Sequence, residues 1–288
     1  MKRKYAGICF VLPAFTGVLI FYLIPFVDVI RRSFCSAVGN QFCGLKNYQN
    51  VLENEAFQLA AGNTFHFLAV CLPLLLILSL MVALLLQGMG NRAEDRLSNL
   101  IKKSYLIPMA IPTASVVLIW KLVFDKHGML NGILAAWLGE EHLLTQTDWM
   151  NSASAFGVLV FSYIWKNMGY DVVLWLAGLS AIPTAVYEAA TVDGAGKWQR
   201  FWLVTLPCMK PTIFMISVVS LLNAFKVFRE AWLVAGNYPQ EDIYLLQHLF
   251  NNWFLNLSLD KMTAGAVLLA IVILILVLLL QKCWEREV

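Results

Sequence analysis

Six apolar runs, at residues 7–30, 64–87, 104–124, 156–181, 211–235 and 263–281, divide this chain of 288 residues. Each is about as long as the roughly 20 residues that an α-helix needs to cross a bilayer. Inside hydrocarbon a backbone must satisfy its own hydrogen bonds, so runs of this length and spacing lead to helices. The expected fold is therefore an all-α integral membrane protein with about six transmembrane helices. Composition agrees: hydrophobic residues make up 60% and charged residues 14%, against roughly 45–50% and 25% in soluble domains. Only the last run is uniformly aliphatic. The others carry Pro, Gly or polar residues, which spanning helices tolerate where neighbouring helices or water satisfy the freed groups.

The placement of Lys and Arg sets the expected orientation. With both termini in the cytoplasm, twelve basic residues fall on inner segments (Lys2, Arg3, Lys4, Arg92, Arg96, Lys102, Lys103, Lys197, Arg200, Lys210, Lys282, Arg286) and six on outer ones (Arg31, Arg32, Lys46, Lys121, Lys126, Lys261). Cytoplasmic loops carry the excess of positive charge, which favours this arrangement. Arg31 and Arg32, just beyond the first run, put the end of that span in question. The first run exceeds the roughly 7–15 apolar residues of a secretory signal and lacks a small-x-small cleavage site before the polar segment, so it reads as a retained helix. The net charge of +3 is largely this topological bias, and no interleaving of basic and aromatic residues marks a nucleic-acid partner.

Catalytic and metal chemistry find no foothold in the pattern. The cysteines, at positions 9, 35, 43, 71, 208 and 283, show no CxxC spacing and no neighbouring His cluster. Cys35 and Cys43 share an outer loop, as a disulfide or as two thiols. Gly194-Ala195-Gly196-Lys197 lacks the Gly at 191 and the Ser or Thr at 198 that a phosphate-binding loop requires. GxSxG and HExxH are absent, and His66, His127, His142 and His248 are far apart in sequence. No cofactor is expected on this chain, and any energy source is borrowed.

Between the fourth and fifth runs, residues 182–210 are polar and rich in small side chains. Flanked by two spans, this segment should project from the membrane as a short helix-turn-helix. Pro183 and Thr184 suit a helix start and Asp193-Gly194 a turn. Trp198, Phe201 and Trp202 then recur at near-helical spacing until Pro207 and Pro211 end the element. Ala189, Ala190 and Ala195 keep the first helix thin enough to enter a cleft, while Glu188 and Asp193 offer charge to basic groups within it.

This segment resembles the EAA loop of permease subunits in binding-protein-dependent ABC importers, whose pattern is EAAxxxG followed nine residues later by IxLP. Glu188, Ala189, Ala190, Gly194, Leu206 and Pro207 match it, and Val204 stands where Ile is usual. The resemblance implies a permease of residues 1–288, a single transmembrane domain with 182–210 as its coupling loop, in the cytoplasmic membrane of a prokaryote. It also implies a second, homologous permease, a dimeric cytoplasmic ATPase that binds ATP and Mg, and an extracytoplasmic substrate-binding protein. Further likeness is to the sugar type. Gly44-Leu45, Asn47-Tyr48, Phe57, Asn63-Thr64, Pro108, Pro112, Trp120 and Asn131 resemble its segments, and Phe225 to Pro239 is similar to the subunit for maltose and sn-glycerol-3-phosphate uptake. The implied substrate is a sugar, oligosaccharide or polyol phosphate, moved by alternating access.

Two polar stripes stand out as a path for such a solute. In the fifth run Asn223, Lys226 and Glu230 lie within about 60° of arc, and Lys226 and Glu230 are spaced i, i+4 and can pair. In the fourth, Tyr163, Lys166, Asn167 and Tyr170, with Asp171, cover about 140° of the circumference. A charge facing lipid near the bilayer centre costs roughly 2.5–3.5 kcal/mol, so both stripes should face protein or water. Amides, hydroxyls and rings suit a sugar, whose hydroxyls want hydrogen-bond partners and whose C–H faces stack on aromatics. A self-contained ion pair that locks helix packing, together with interfacial aromatics, is the alternative. Trp120, Trp149, Trp165 and Trp253 read as membrane-interface anchors. A secondary transporter would carry intramembrane charge too, but with internal repeats, and a membrane-bound enzyme would need a reactive cluster at one face.

Overall fold

The computed structural model describes residues 2–89, 104–225, 227, 231, 232 and 239–285. Among them every regular element is helical, and the only extended pairing is an isolated bridge between Cys35 and Phe42. In chain order the helices are α1 (Lys2–Val18), α2 (Ile24–Ser33), α3 (Lys46–Leu52), α4 (Glu55–Met89), α5 (Ile107–Ala110), α6 (Thr113–Phe124) and α7 (Met129–Leu138). There follow α8 (Ala155–Ser180), α9 (Thr184–Val192), α10 (Lys197–Arg200), α11 (Leu206–Cys208), α12 (Lys210–Ala224), α13 (Leu246–Leu255) and α14 (Leu259–Glu285). Contacts group the chain into two units, one of residues 1–59 and 249–275, the other of residues 60–248 and 276–288.

In the first unit, α1 and α2 are joined without a break by a π-helical turn at Leu19–Leu23. The apolar stretch reaches Ser33, where Arg31 and Arg32 both fold back onto the Asp28 carboxylate, at 3.0 and 2.6 Å, which offsets one of the two positive charges at the helix end. This resolves the awkward position of the two arginines. Asn47 then ties the outer loop down, its amide donating to the carbonyls of Ser33 and Cys35 at 3.0 and 2.8 Å, while Tyr48 and Ser33 hydroxyls meet at 2.6 Å. Gly44 supplies the positive φ of +62° that turns the chain toward them. Cys35 and Cys43 are free thiols on the two strands of this loop, each directed at a different carbonyl. Trp253 is buried and stacks on Phe57 and against Phe250, and Gly265 lets α14 approach this aromatic pair.

The second unit is built on α8. Its neighbours come close because two positions lack a side chain. A Cβ on Gly169 would lie 1.8 Å from the Tyr105 carbonyl oxygen, and one on Gly178 would lie 2.5 Å from the Thr212 methyl group of α12. Ala83, Val172, Trp175, Leu179, Met209 and Ile216 form the apolar core of α4, α8 and α12, and Trp175 Nε1 donates to Ser79 Oγ at 2.9 Å within it. Between helices in a bilayer such a core is held by close packing and hydrogen bonds, since lipid is as apolar as these side chains. The Asn63-Thr64 pair holds the segment before α13: Asn63 donates to the carbonyls of Glu241 and Tyr244, and Leu246 N–H donates to Thr64 Oγ at 3.0 Å.

Three helices are long and apolar enough to cross a membrane unaided, Phe10–Ser33, Glu55–Gly88 and Leu259–Lys282. Two bent pairs, α8 with α9, turned by 65°, and Lys197–Cys208 with α12, turned by 67°, are long and apolar enough only when each pair is taken together. Two expectations from sequence are corrected. The run at 104–124 is broken at Ile111-Pro112, where Ile111 takes the extended backbone that a following proline imposes, leaving α6 only 12 residues long. The helix of the fifth run stops at Ala224 with a turn at Phe225, Ala231 and Trp232 are again helical, and residues 226, 228–230 and 233–235 lie outside the described ones. The loop element ends where the prolines lead one to expect, Lys197–Cys208 breaking at Met209 between Pro207 and Pro211. Pro207 lies in the last turn of that segment, behind a π turn at Phe201–Thr205, and Pro211 in the first turn of α12, where a missing N–H costs nothing.

Candidate functional site

The loop between α8 and α12 is a rigid projection. α9 starts at Pro183, whose extended backbone sets the 65° bend from α8, and closes in a Schellman motif. Ala195 N–H reaches the Ala190 carbonyl at 2.9 Å and Gly194 N–H the Thr191 carbonyl at 3.1 Å. Gly194 carries the required φ of +79°, and the space around its Cα is open. Its value here is therefore conformational, not steric. A second tier of bonds fixes the return strand. Arg200 Nη1 donates to Thr191 Oγ1 at 3.0 Å, the hydroxyls of Tyr187 and Thr205 meet at 3.0 Å, and Gly196 N–H donates to Gln199 Oε1 at 2.9 Å.

On this scaffold Glu188, Ala189, Asp193, Gly194 and Pro207 are exposed, while Ala190, Ala195 and Leu206 are half-buried. Glu188, Thr191 and Arg200 also line a broad groove of about 1050 Å³. Around it are large apolar side chains left in the open: Val192 at 87%, Leu203 at 73% and Trp198 at 72% exposure, with Trp198 packed on Phe201 and Trp202. A thin helix with the exposed carboxylates of Glu188 and Asp193 and a rim of uncovered aromatics has the make-up of a docking plug, apolar contact for affinity and charge for register. Tyr187, Thr205 and Arg200, which brace the plug, were not singled out from sequence, because their role depends on a chain reversal that periodicity does not encode.

The polar stripe of α8 opens on a cavity of about 250 Å³ between α8 and α12. Tyr163, Asn167, Tyr170 and Asn223, all expected from the two stripes, line it together with Asp171 and Ser220, and Leu75 and Met109 supply apolar surface. Ser220 Oγ spans both oxygens of the Asp171 carboxylate, at 2.9 and 3.1 Å, and both residues are 2% exposed. Asn167 donates to the Tyr163 carbonyl one turn back, at 2.9 Å, which leaves its amide oxygen for other partners. Lys166 departs from the expected path: it does not line the cavity, and its ammonium donates instead to Thr113 of α6. Lys226 and Glu230 lie outside the described residues. Ser220 was legible only in retrospect, three residues before Asn223 on the same face of α12.

The tryptophans expected at membrane interfaces make specific contacts within the fold. Trp120 is buried in a cluster with Phe124, Phe161 and Trp165, and Trp149 Nε1 donates to Asn131 Oδ1 at 2.7 Å. Asn131 in turn bonds the carbonyls of Lys126 and Thr147 at 2.9 and 2.8 Å.

Spanning helices, a projecting EAA loop and a polar cavity between the helices that flank it define a permease. Residues 60–287 match the family of binding-protein-dependent transport system inner membrane components, and the chain belongs to that family as a multi-pass inner membrane protein. Similar proteins include the trehalose/maltose transport system permease protein of Thermococcus litoralis, 32% identical over 83% of this chain and 81% of the relative. The arabinooligosaccharides transport system permease protein of Bacillus subtilis is 29% identical over 97% of this chain and 87% of its own. The sn-glycerol-3-phosphate transport system permease protein of Yersinia pestis is 29% identical over 96% and 93%. Among solved structures, a bacterial ABC transporter involved in the import of the acidic polysaccharide alginate shares the fold, with a TM-score of 0.81 and 24% identity over 99% of this chain and 96% of that one.

Proposed function

We propose that this chain is the membrane-spanning subunit of an ATP-driven importer for a sugar, oligosaccharide or related polyol, paired with a second permease. A separate cytoplasmic ATPase, which binds ATP and Mg, docks on the Glu188 loop, and an extracytoplasmic binding protein delivers the solute. Both termini are cytoplasmic in this reading, by the distribution of Lys and Arg. The observation that carries it is the construction of the loop: a Schellman-capped helix, braced by Arg200 and Thr191, that leaves Glu188 and a ring of large apolar side chains uncovered. The names of similar proteins support a carbohydrate-type solute.

The loop is covalently continuous with both walls of the cavity, α8 before it and α12 after it. Movement of the ATPase against the loop would tilt the two bent helix pairs and open the cavity to one side of the membrane at a time. Tyr163, Asn167, Tyr170 and Asn223 offer rings and amides to a passing sugar. Glu188→Ala tests the coupling role. Removing one member of a desolvated charge pair costs roughly 2–5 kcal/mol, so co-purification of the ATPase and uptake should both fall while the permease still inserts. Unchanged association with unchanged uptake would refute the assignment of the loop.

A further inference from the structure

The comparisons span permeases named for uncharged sugars and for an anionic polyol phosphate, so the charge of the solute is open. The cavity itself bears on it. Asp171 lies near the middle of α8, where an ionised side chain is costly unless it is put to use. Among the described residues its carboxylate has a single side-chain donor, Ser220 Oγ, and no ion pair. A carboxylate can accept about four hydrogen bonds, so most of its capacity remains open beside a cavity into which it is directed. No cationic side chain lines that cavity among the described residues: Lys166 is turned to Thr113, and Tyr163, Asn167, Tyr170 and Asn223 are uncharged at neutral pH.

We propose that Asp171 is the charge-selecting residue of this passage. Its carboxylate, held by Ser220, accepts hydrogen bonds from an uncharged polyhydroxy solute and turns away sugars that carry phosphate or carboxylate. This rests on the cavity being part of the solute path, as proposed above. Hydroxyl donors to an ionised acceptor make the short, strong class of hydrogen bond. An anionic group in the same space would meet like charge inside low-dielectric walls, where field lines are focused and the effect on entry reaches 10- to 10³-fold.

The test uses the assembled transporter, with its partner permease, ATPase and binding protein, in proteoliposomes. The chain carries Asn167→Cys, or Asn223→Cys in a parallel preparation, with the native cysteines replaced. Labelling rates are measured with a cationic and an anionic methanethiosulfonate of matched size, and their ratio is divided by the ratio for a small thiol in solution. The expected result is a preference for the cation of about tenfold or more, falling to within about twofold of the solution value when Asp171→Asn is added. Asparagine keeps the shape and can still accept from Ser220, so a purely structural role for Asp171 would leave the ratio unmoved. A ratio insensitive to Asp171→Asn, or one favouring the anion, overturns the proposal and leaves the cavity reading standing. Thiols that react with neither reagent in any state overturn both.

Discussion

Glycine at 194 is required by a dihedral angle and by nothing else. Its φ of +79° closes the Schellman motif, and a Cβ there would meet no atom within 4 Å. Left-handed backbone costs a residue with a Cβ roughly 1–2 kcal/mol, and a β-branched side chain suffers most. Gly194→Val should therefore lower ATPase association more than Thr191→Val does, while Gly194→Asn, which tolerates this region, should stay near the parent. Equal, mild effects of both valines in a pull-down would mean that the shape of the loop does not matter. His248 makes a second prediction at this scale. It lies outside the spans, fully buried, with Nδ1 accepting from Leu245 N–H at 3.2 Å and its ring stacked on Tyr244. Burial pushes its pKa down from 6.5 to about 4, so the folded form keeps it neutral while the unfolded chain takes a proton first. Its contribution is full above pH 6.5 and is lost as pH falls toward 4, by about 1.4 kcal/mol per pH unit within that window. The melting temperature of the purified protein should drop between pH 7 and pH 5, and His248→Gln should flatten that drop.

At the scale of elements, what the sequence could and could not convey divides cleanly by mechanism. Apolar length is a local property, so the runs at 7–30, 64–87 and 263–281 appear as helices, with ends displaced where charges are paired, as Arg31 and Arg32 are with Asp28, or where a side chain caps the helix, as Asn54 does by accepting from Phe57 N–H at 3.0 Å. Breaks are set by backbone and packing together. Pro108 and Pro112 split the third run, yet Pro13 and Pro73 sit inside continuous helices and Pro207 follows a π turn. Proline alone does not say which of these will happen. The close helix approaches at Gly169 and Gly178 were equally silent, because each depends on what lies across from it: the Tyr105 carbonyl in one case and Thr212 in the other. Gly169→Ala places a methyl group 1.8 Å from a carbonyl oxygen, a clash that a flexible side chain cannot relieve. Overpacking of this sort costs typically 1–3 kcal/mol or more. Gly169→Ala should lower the thermal midpoint in detergent by several degrees relative to Gly157→Ala, whose Cβ position is open in the same helix. Indistinguishable midpoints would show that the segment at Tyr105 is free to move away.

For the whole molecule, the motif at 188–207 identified the family, and the stripes on α8 and α12 located five of the residues that line the cavity, Tyr163, Asn167, Tyr170, Asp171 and Asn223. Lys166 does not line the cavity, because a long side chain on the edge of a stripe can turn to a neighbouring helix, and Thr113 receives it. The central claim is mechanical: the loop that meets the ATPase and the cavity that meets the solute are two ends of one pair of bent helices. The most direct measurement combines both ends. In the full transporter, the thiol of Asn167→Cys is labelled with an aqueous reagent in the resting state, with binding protein and ATP, and in the same two states with Glu188→Ala added. The account predicts that binding protein and ATP change the labelling rate severalfold when Glu188 is present and leave it unchanged when Glu188 is replaced. A rate that is the same in every state while uptake continues, or one that responds equally with and without Glu188, would contradict it.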